Sequence, residues 1–519
     1  MKRNIVLIIR DGWGINSNPE YNAVANANTP YVDLFLKKYP NAVLGAAGVS
    51  VGLPEGYQGS SEVGHLNIGA GRIVKQELTR VNDAIKDRSF FRNPNFQKAI
   101  NNCKVNNSSL HIIGLVQDEG VHAHQDHLFA IMKYAKQQSV KKLYIHFFSD
   151  GRDTPPRSAL GFLRVLEEKI KEYQIGEIGT LMGRYYAMDR GKNWHLTTQA
   201  YNALTKAEGI RIDSAEMAIT RAYNDDRTPS GREMFDEYIS PSVIGNFSGI
   251  KDGDSVIHFN YRQDRAIQLT KAFVENGYPG ERWKKLSIVY CGLTRYYDTF
   301  RFNVLEAIDE TREMRNLLGE IISRSALKQL RISETQKFRH VTSFFNGKII
   351  DPFENEERIE IKSTYDPATF AEHPEMNAFD VAEAVIKEIN RRRFAVIVLN
   401  FANCDMVGHT GDYEAAIKAV EVVDKCVGRV VNATLLQEGM ALVTADHGNV
   451  EEMIDYKTGL LKTAHTRNPV EFIYVAKDYE RIKLKPKGIL SDIAPTILYL
   501  LGIEQPVEMI AENLIEING

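Results

Sequence analysis

The chain has 519 residues, 43% hydrophobic and 25% charged, with 64 Lys+Arg against 67 Asp+Glu for a formal charge of −3. That length exceeds what one core usually serves and points to two or three domains, while the balanced charge excludes the basic footprint of a nucleic-acid binder. No apolar stretch approaches the ~18 residues of a membrane helix, and Cys103, Cys291, Cys404 and Cys426 form no CxxC pair, as expected of reduced thiols in a cytosolic protein.

The N-terminal "MKRNIVLIIRDGWG" puts basic residues before an apolar run, but Ile5 to Ile9 is too short for a signal peptide and Arg10-Asp11 ends it. The chain therefore reads as soluble and cytoplasmic. Because that run is continuous rather than alternating, it predicts a strand buried on both faces, with Asp11 at its end. Next comes "GSSEVGHLNIGAGR" (59–72), a glycine-rich stretch with Ser60 and Ser61. It reads either as a surface turn or as a loop that brings a nucleophilic serine close to something large and anionic.

In the middle of the chain "SSLHIIGLVQDEGVHAHQDHL" is another strand-like run, followed by His122, His124 and His127. An extended HxH pair can chelate a metal; equally, the segment is a polar loop entering a helix with Asp126 as cap. "KKLYIHFFSDGRDTPPR" ends in Arg152 and Asp153, and a helix over 158–173 follows with Ser158 as N-cap. Arg184 and Arg190 lie in "GRYYAMDR", and Arg262 and Arg265 in "FNYRQDRAI". Arginine forks bind carboxylate and phosphate through paired hydrogen bonds, so three Arg-Asp-rich loops favour an anionic substrate.

The acidic run "ENEERIE" (354–360) reads as solvated loop or helix surface. "RRRFAVIVLNFANCDMVGHTG" is a buried strand leading to Asp405 and His409, where the glycines favour a loop. A helix follows within 411–439, capped by Asp412 and stopped at Gly439. "GMALVTADHGN" ends in Asp446-His447, and His465 follows in "KTAHTRNP". The alternation predicts an α/β fold with mainly parallel sheet, which binds ligands beyond the carboxyl ends of its strands.

Three Asp and three His at strand ends or in nearby loops suit divalent ions such as Mn²⁺ or Zn²⁺ better than Ca²⁺. Six such ligands suggest two metals rather than one. The chain has no GxxxxGK[ST] phosphate loop and "GSSEVG" is not a GxSxG elbow, so the serine is expected to be activated by something other than a Ser–His–Asp triad.

Taken together, "IIRDGWG", "GSSEVGHLNIGAGR", "GVHAHQDHL", "SDGRDTPP", "GRYYAMDR", "FNYRQDRAIQL", "SETQKFRHVTSFFNG", "CDMVGHTG", "TADHGN" and "AHTRNPV" resemble the cofactor-independent phosphoglycerate mutase family of the alkaline phosphatase superfamily, over nearly the whole chain. The resemblance implies that Ser61 is the nucleophile, with Ser60 a neighbour standing where asparagine is usual. It implies one metal on Asp405, His409 and His465, and another on Asp11, Ser61, Asp446 and His447, with Mn²⁺ the first choice. It makes His122, Arg152, Asp153, Arg184, Arg190, Arg262 and Arg265 substrate-binding residues and places Lys337 beside the nucleophile. Arg10, Cys404 and Lys348 depart from the family pattern, and a thiol at Cys404 suggests sensitivity to oxidation or soft metals.

Because the implied ligands lie at 11, 61 and 405–465, the two ends of the chain must build one domain. We expect 1–77 with 311–519 as the metal-binding domain and 78–310 as an inserted substrate domain, joined near 75–81 and 307–315, with the active site in a cleft between them. The implied reaction interconverts 3-phosphoglycerate and 2-phosphoglycerate through a phosphoserine, in glycolysis and gluconeogenesis, in a cytoplasmic monomer acting on a small molecule. Asp153 is the expected general base, and Lys337 stabilises charge or passes a proton. The rival readings are a metal-dependent phosphatase or other phosphomutase, and a catalytically silent metal-stabilised binding protein.

Overall fold

The computed structural model describes residues 3–306 and 314–516. The chain divides into two compact units, 1–76 with 309–519, and 77–308. The connection expected near 75–81 falls where helix Glu77–Lys86 begins the second unit. Of the connection expected near 307–315, residues 307–313 lie outside the described residues.

The first unit is built on an eight-stranded sheet. Its strands lie in the order Glu356–Ile361, Gln329–Glu334, Val396–Phe401, Ile5–Arg10, Met440–Thr444, Val470–Val475, Asn41–Gly45 and Lys487–Ile489. Val470–Val475 alone runs against the others. Every residue from Ile5 to Ile9 is fully buried, as the continuous apolar run requires when helices cover both faces of a sheet.

The 24-residue helix Tyr413–Leu436 buries Ala416, Ala419, Val420, Val423, Val427, Val430 and Val431, a stripe at helical spacing, and packs beside helix Ala378–Arg391. Asp412 caps it, accepting from the Ala415 N–H at 2.9 Å. The helix stops before Gly439, however, and the left-handed residue of the turn is Glu438, with φ 62. The "ENEERIE" run is also different from expectation: Glu356–Ile361 is an edge strand. Charged side chains suit an edge because they discourage pairing with another chain, and Glu356 itself is buried against Asn346 and Arg358.

The second unit carries its own eight-stranded sheet, in the order Asn303–Leu305, Val289–Thr294, Ser255–His258, Leu110–Leu115, Leu143–Ser149, Glu177–Gly183, Ser242–Ile244 and Ile210–Ile212. The first six are parallel and the last two run opposite to them. Ser158 precedes helix Ala159–Tyr173 but its hydroxyl does not cap it. Asp236 does so instead, accepting from the Ser158 and Ala159 N–H groups at 2.8 Å each. That partner is distant in sequence, which is why a local reading misses it.

Across this sheet runs a buried polar chain. Asp254 meets His111 Nε2 at 3.2 Å, His111 Nδ1 meets His146 Nε2 at 3.0 Å, and His146 Nδ1 meets Thr180 at 2.9 Å. Burial lowers His111 despite Asp254, and burial with His111 alongside holds His146 well below the ordinary value. Burial alone pushes His258 down to about 3. These rings stay neutral in the folded chain, whereas the unfolded chain protonates them near the ordinary value of 6.5. Their contribution is complete above that pH and is lost as pH falls towards the folded values. Thermal melts should therefore shift down between pH 6.5 and 4. Replacing one ring, as in His258→Gln, should flatten the acid slope by up to about 1.4 kcal/mol per pH unit. An unchanged slope in that variant contradicts this assignment.

Candidate active site

In the first unit, strands Gln329–Glu334, Val396–Phe401, Ile5–Arg10 and Met440–Thr444 are parallel neighbours, so their carboxyl ends share one edge. Lys337, Asp405, Asp11 and Asp446-His447 all follow within a few residues of those ends, where α/β sheets place their ligand sites. The reversed strand Val470–Val475 enters from that same edge, and His465 precedes it. Gly12 makes the first turn possible: its φ is +76°, and a Cβ there would lie 2.8 Å from the Asp405 backbone.

Asp405 and His409 are more constrained than a loop allows, because residues Asn403–Gly408 form a helical turn. Four-residue spacing then stacks the two side chains on one face, with Asp405 Oδ1 3.3 Å from His409 Nε2. Ser61 begins helix Ser61–Ala70, and Ser60 is its N-cap, the hydroxyl accepting from the Val63 N–H at 3.4 Å. Ser60 is thus more than a neighbour: it shapes the helix start on which Ser61 sits. A helix N-terminus presents N–H groups and a positive dipole end, which favours an anion. This helix lies close against the sheet edge, since a Cβ on Gly64 would fall 2.6 Å from the Asp446 carbonyl.

Ser61 Oγ is the meeting point. It lies 2.6 Å from Lys337 Nζ, 2.9 Å from His447 Nε2 and 3.1 Å from Asp11 Oδ1. Lys337 spends its three N–H donors on Ser61, on Asp11 at 2.8 Å and on Asp405 at 2.6 Å. Burial opposes its charge, but Asp11 and Asp405 raise its pKa above the ordinary lysine value. Against their own burial, both carboxylates are held well below the usual range, chiefly by Lys337.

Two groups have donor sets suited to a cation: Asp405, His409 and His465, and Asp11, Asp446 and His447, each with ligand atoms within 4.8 Å of one another. The hydrogen bonds fix the histidine tautomers. His409 Nδ1 faces the Thr463 carbonyl at 2.7 Å, and His465 Nδ1 faces the Gly59 carbonyl at 2.9 Å. Carbonyls only accept, so both Nδ1 atoms carry protons and both rings turn their Nε2 atoms inward; against burial, Asp405 raises the His409 pKa above its ordinary value. Those two Nε2 atoms are 3.1 Å apart, and His465 Nε2 lies 3.0 Å from Asp405 Oδ1.

Two imidazole nitrogens and a carboxylate oxygen this close call for a proton or a metal ion among them. In the other group His447 Nδ1 faces the Gly448 carbonyl at 3.2 Å, and Asp446 Oδ2 is buried and makes no well-formed hydrogen bond among the described residues, its nearby nitrogens being those of His65 and His447. Burial disfavours charge on His447, yet Asp446, Asp11 and Asp405 push it up to about 10, which reports a strongly cation-attracting potential. The residues present therefore fit divalent ions.

Sequence reasoning missed the supporting residues. His65 Nδ1 lies 2.9 Å from the Ser61 carbonyl and 3.2 Å from Asp446 Oδ2. Asn400 donates to Asp11 Oδ2 at 2.7 Å, and Asn449 donates to Asp405 Oδ1 at 3.0 Å. The signals were His65 one helical turn after Ser61, and Asn400 as the polar residue in an apolar run. Cys404 is fully buried and burial raises its thiol, which favours the unreactive form over the sensitivity expected of it. Arg10 is buried too, paired with Glu471 at 2.9 Å and stacked on Trp13. Lys348 takes φ 70, the conformation that makes glycine usual there.

The candidate anion ligands form a cluster within the second unit. Arg184 donates to Asp150 at 2.5 Å and Asp153 at 2.6 Å. His122 sits 3.6 Å from Asp153 and 3.8 Å from Asp264, and Asp264 also pairs with Arg190 at 2.6 Å and Arg262 at 3.2 Å. Burial, then Arg184 and Arg262, push His122 down to about 3, so it is neutral. Arg265 is lowered by burial and by Arg184, Arg190 and Arg152, the mark of crowded guanidinium groups. Arg152 pairs with Glu237 at 3.4 Å and is half exposed. Asp264, the carboxylate that organises this cluster, was visible in "RQDR" but was not singled out.

The three neighbouring histidines part company. His124 caps helix Gln125–Gln137 by accepting from the Asp126 N–H at 3.2 Å, so the cap is His124 rather than Asp126. His127 bonds Asn82 at 2.7 Å. Among the described residues they form no metal-ligating group.

Comparison with known proteins agrees with this chemistry. The family model for the Metalloenzyme superfamily matches residues 3–505. The 2,3-bisphosphoglycerate-independent phosphoglycerate mutase of Acetivibrio thermocellus is 46% identical over 517 residues, covering 98% of this chain and 99% of that protein. Its counterpart in Clostridium tetani is 48% identical over 519 residues, covering 99% of each. The crystal structure of Leishmania mexicana phosphoglycerate mutase at low cobalt concentration is 29% identical, with a TM-score of 0.76 and coverage of 100% of this chain and 98% of that one. The chain belongs to the 2,3-bisphosphoglycerate-independent phosphoglycerate mutase family, within the Metalloenzyme superfamily.

Proposed function

We infer that this enzyme is an isomerase that interconverts 3-phosphoglycerate and 2-phosphoglycerate without bisphosphoglycerate, through a phosphoserine at Ser61. The observation that carries the reading is the buried Ser61 hydroxyl at a helix N-terminus, touched at once by Lys337, Asp11 and His447. Asp405, His409 and His465 would hold one divalent ion, and Asp11, Asp446, His447 and Ser61 the other, with Mn²⁺ the first candidate. When bound, the ions supply Lewis acidity that favours the serine alkoxide and neutralises phosphoryl oxygens.

Lys337 holds an N–H on Ser61 Oγ at 2.6 Å, which stabilises negative charge there as the hydroxyl proton leaves. Ser61 Oγ forms its bond to phosphorus while the bond from phosphorus to the C3 oxygen breaks; Lys337 gives that oxygen a proton and regains one from the Ser61 hydroxyl, giving glycerate. Arg152, Arg184, Arg190 and His122 hold the glycerate carboxylate and hydroxyls, while Arg262 and Arg265 hold the phosphoryl group. Asp153 accepts the proton of the C2 hydroxyl, whose oxygen attacks the phosphoserine and releases Ser61. Two displacements replace one difficult transfer. On this reading the enzyme is a cytoplasmic monomer acting on a small molecule, and it serves glycolysis and gluconeogenesis alike because a near-equilibrium reaction runs either way. Among the described residues no helix is long and apolar enough to cross a membrane.

The nearest alternative is a phosphatase with the same first unit. A hydrolase has no need to retain its alcohol product, and the arginine cluster favours the mutase. The test uses metal-depleted protein restored with Mn²⁺ and given 3-phosphoglycerate alone, with 2-phosphoglycerate followed through enolase and inorganic phosphate in parallel. Metal-dependent isomer without phosphate is expected; phosphate without isomer would make this a phosphatase. Ser61→Ala should lower kcat at least about 10³-fold, and activity left intact by it would overturn the phosphoserine route; a wild type with no activity would favour the silent binding protein. Lys337→Met should lower kcat about 10²- to 10³-fold with KM much less affected, and an equal rise in KM would instead assign Lys337 to ground-state binding.

A further inference from the structure

Glu451 follows the "ADHGN" turn and is completely buried. Its Oε2 accepts the backbone N–H of Gly14 at 3.0 Å and of Asn449 at 2.8 Å. Its Oε1 accepts the Asn468 side-chain amide at 2.9 Å and the Thr466 hydroxyl. All four donors are neutral, and they come from three ligand-bearing segments. Gly14 lies just beyond Asp11, Asn449 just beyond His447, and Thr466 is next to His465. Asn449 also donates from its side chain to Asp405 Oδ1 at 3.0 Å.

One carboxylate therefore ties together segments that serve both cation-suited groups. The backbone is shaped around it. A Cβ on Gly14 would lie 2.5 Å from Glu451 Cδ, and one on Gly448 would lie 2.3 Å from its Oε1.

We propose that Glu451 is a positioning residue that sets the divalent-ion affinity of both centres together. The proposal rests on the two-ion reading given above. Asp11, Asp446-His447 and His465 lie in connecting segments rather than within strands, so their placement depends on what anchors those segments. Hydrogen bonds to a buried carboxylate are charge-assisted and stronger than neutral ones. Groups beyond the ligands typically change metal affinity 10- to 100-fold when replaced. Glutamine in place of Glu451 keeps the shape but has one acceptor oxygen, and its amide would face two of the existing donors.

The experiment titrates metal-depleted full-length protein with Mn²⁺ and reads free Mn²⁺ by electron paramagnetic resonance. Wild type is compared with Glu451→Gln and Asn468→Ala, with circular dichroism and thermal melts alongside. We expect two ions per wild-type chain. In Glu451→Gln both should weaken about 10- to 100-fold, with helical content kept and kcat recovered to within a few-fold at saturating Mn²⁺. Asn468→Ala, which removes one donor on the His465 side, should weaken one ion more than the other. Unchanged Mn²⁺ affinity in Glu451→Gln, whatever its melting temperature, overturns the proposal, as does weakening confined to one ion. If Glu451→Gln does not fold, unchanged affinity in Asn468→Ala overturns it. Wild-type protein that binds no Mn²⁺ would bring down the two-ion reading itself, and this proposal with it.

Discussion

Three carboxylates, Asp11, Asp405 and Asp446, are buried at one edge of one sheet, and the rest of the site answers to that fact. Two unit charges 4 Å apart at an effective dielectric near 20 interact by about 4 kcal/mol, so such a cluster is self-repelling unless cations share the space. Lys337 answers for part of it, with an ammonium on both Asp11 and Asp405. The remaining negative charge attracts cations, as the upward push on His447 and His409 shows, and the inward-facing Nε2 atoms of His409, His465 and His447 mark where further positive charge belongs. Ser61 sits among these groups, a placement that supports its proposed role as nucleophile.

The second unit presents the opposite polarity. Its cluster is built from guanidinium groups held by Asp150, Asp153 and Asp264, and His122 stays neutral between them. A planar guanidinium matches a carboxylate or phosphate through paired bonds. The first unit's cluster is acidic and suits cations beside a serine, and the second unit's is rich in guanidinium groups and suits an organic anion.

The buried strands could be read from the chain because Ile5–Ile9, Val396–Leu399 and Met440–Val443 are apolar without interruption, and a two-sided core leaves no other choice. Asp11, Asp405, His409, Asp446 and His447 could be read because each follows such a run, whereas His465 precedes its strand. What could not be read depended on partners far away in sequence, or on local turns that glycine disguises. The glycine in "DMVGHTG" suggested a loop, yet Asn403–Gly408 is helical, and that turn is what makes the Asp405–His409 spacing informative. Asp236 caps a helix 78 residues before it in the chain. Ser60 and His124 cap helices whose starts no periodicity marks. Spacing alone left the histidines at 122, 124 and 127 open between a metal site and a polar loop entering a helix; the folded chain sends each to a different partner.

The central claim is that two cations complete the buried acidic edge. Anomalous diffraction at the manganese edge, from crystals of the wild-type enzyme grown with Mn²⁺, tests it directly. The account predicts two peaks, one bounded by Asp405, His409 and His465 and the other by Asp11, Asp446, His447 and Ser61. A single peak, or peaks elsewhere such as beside His122 and His124, would contradict it.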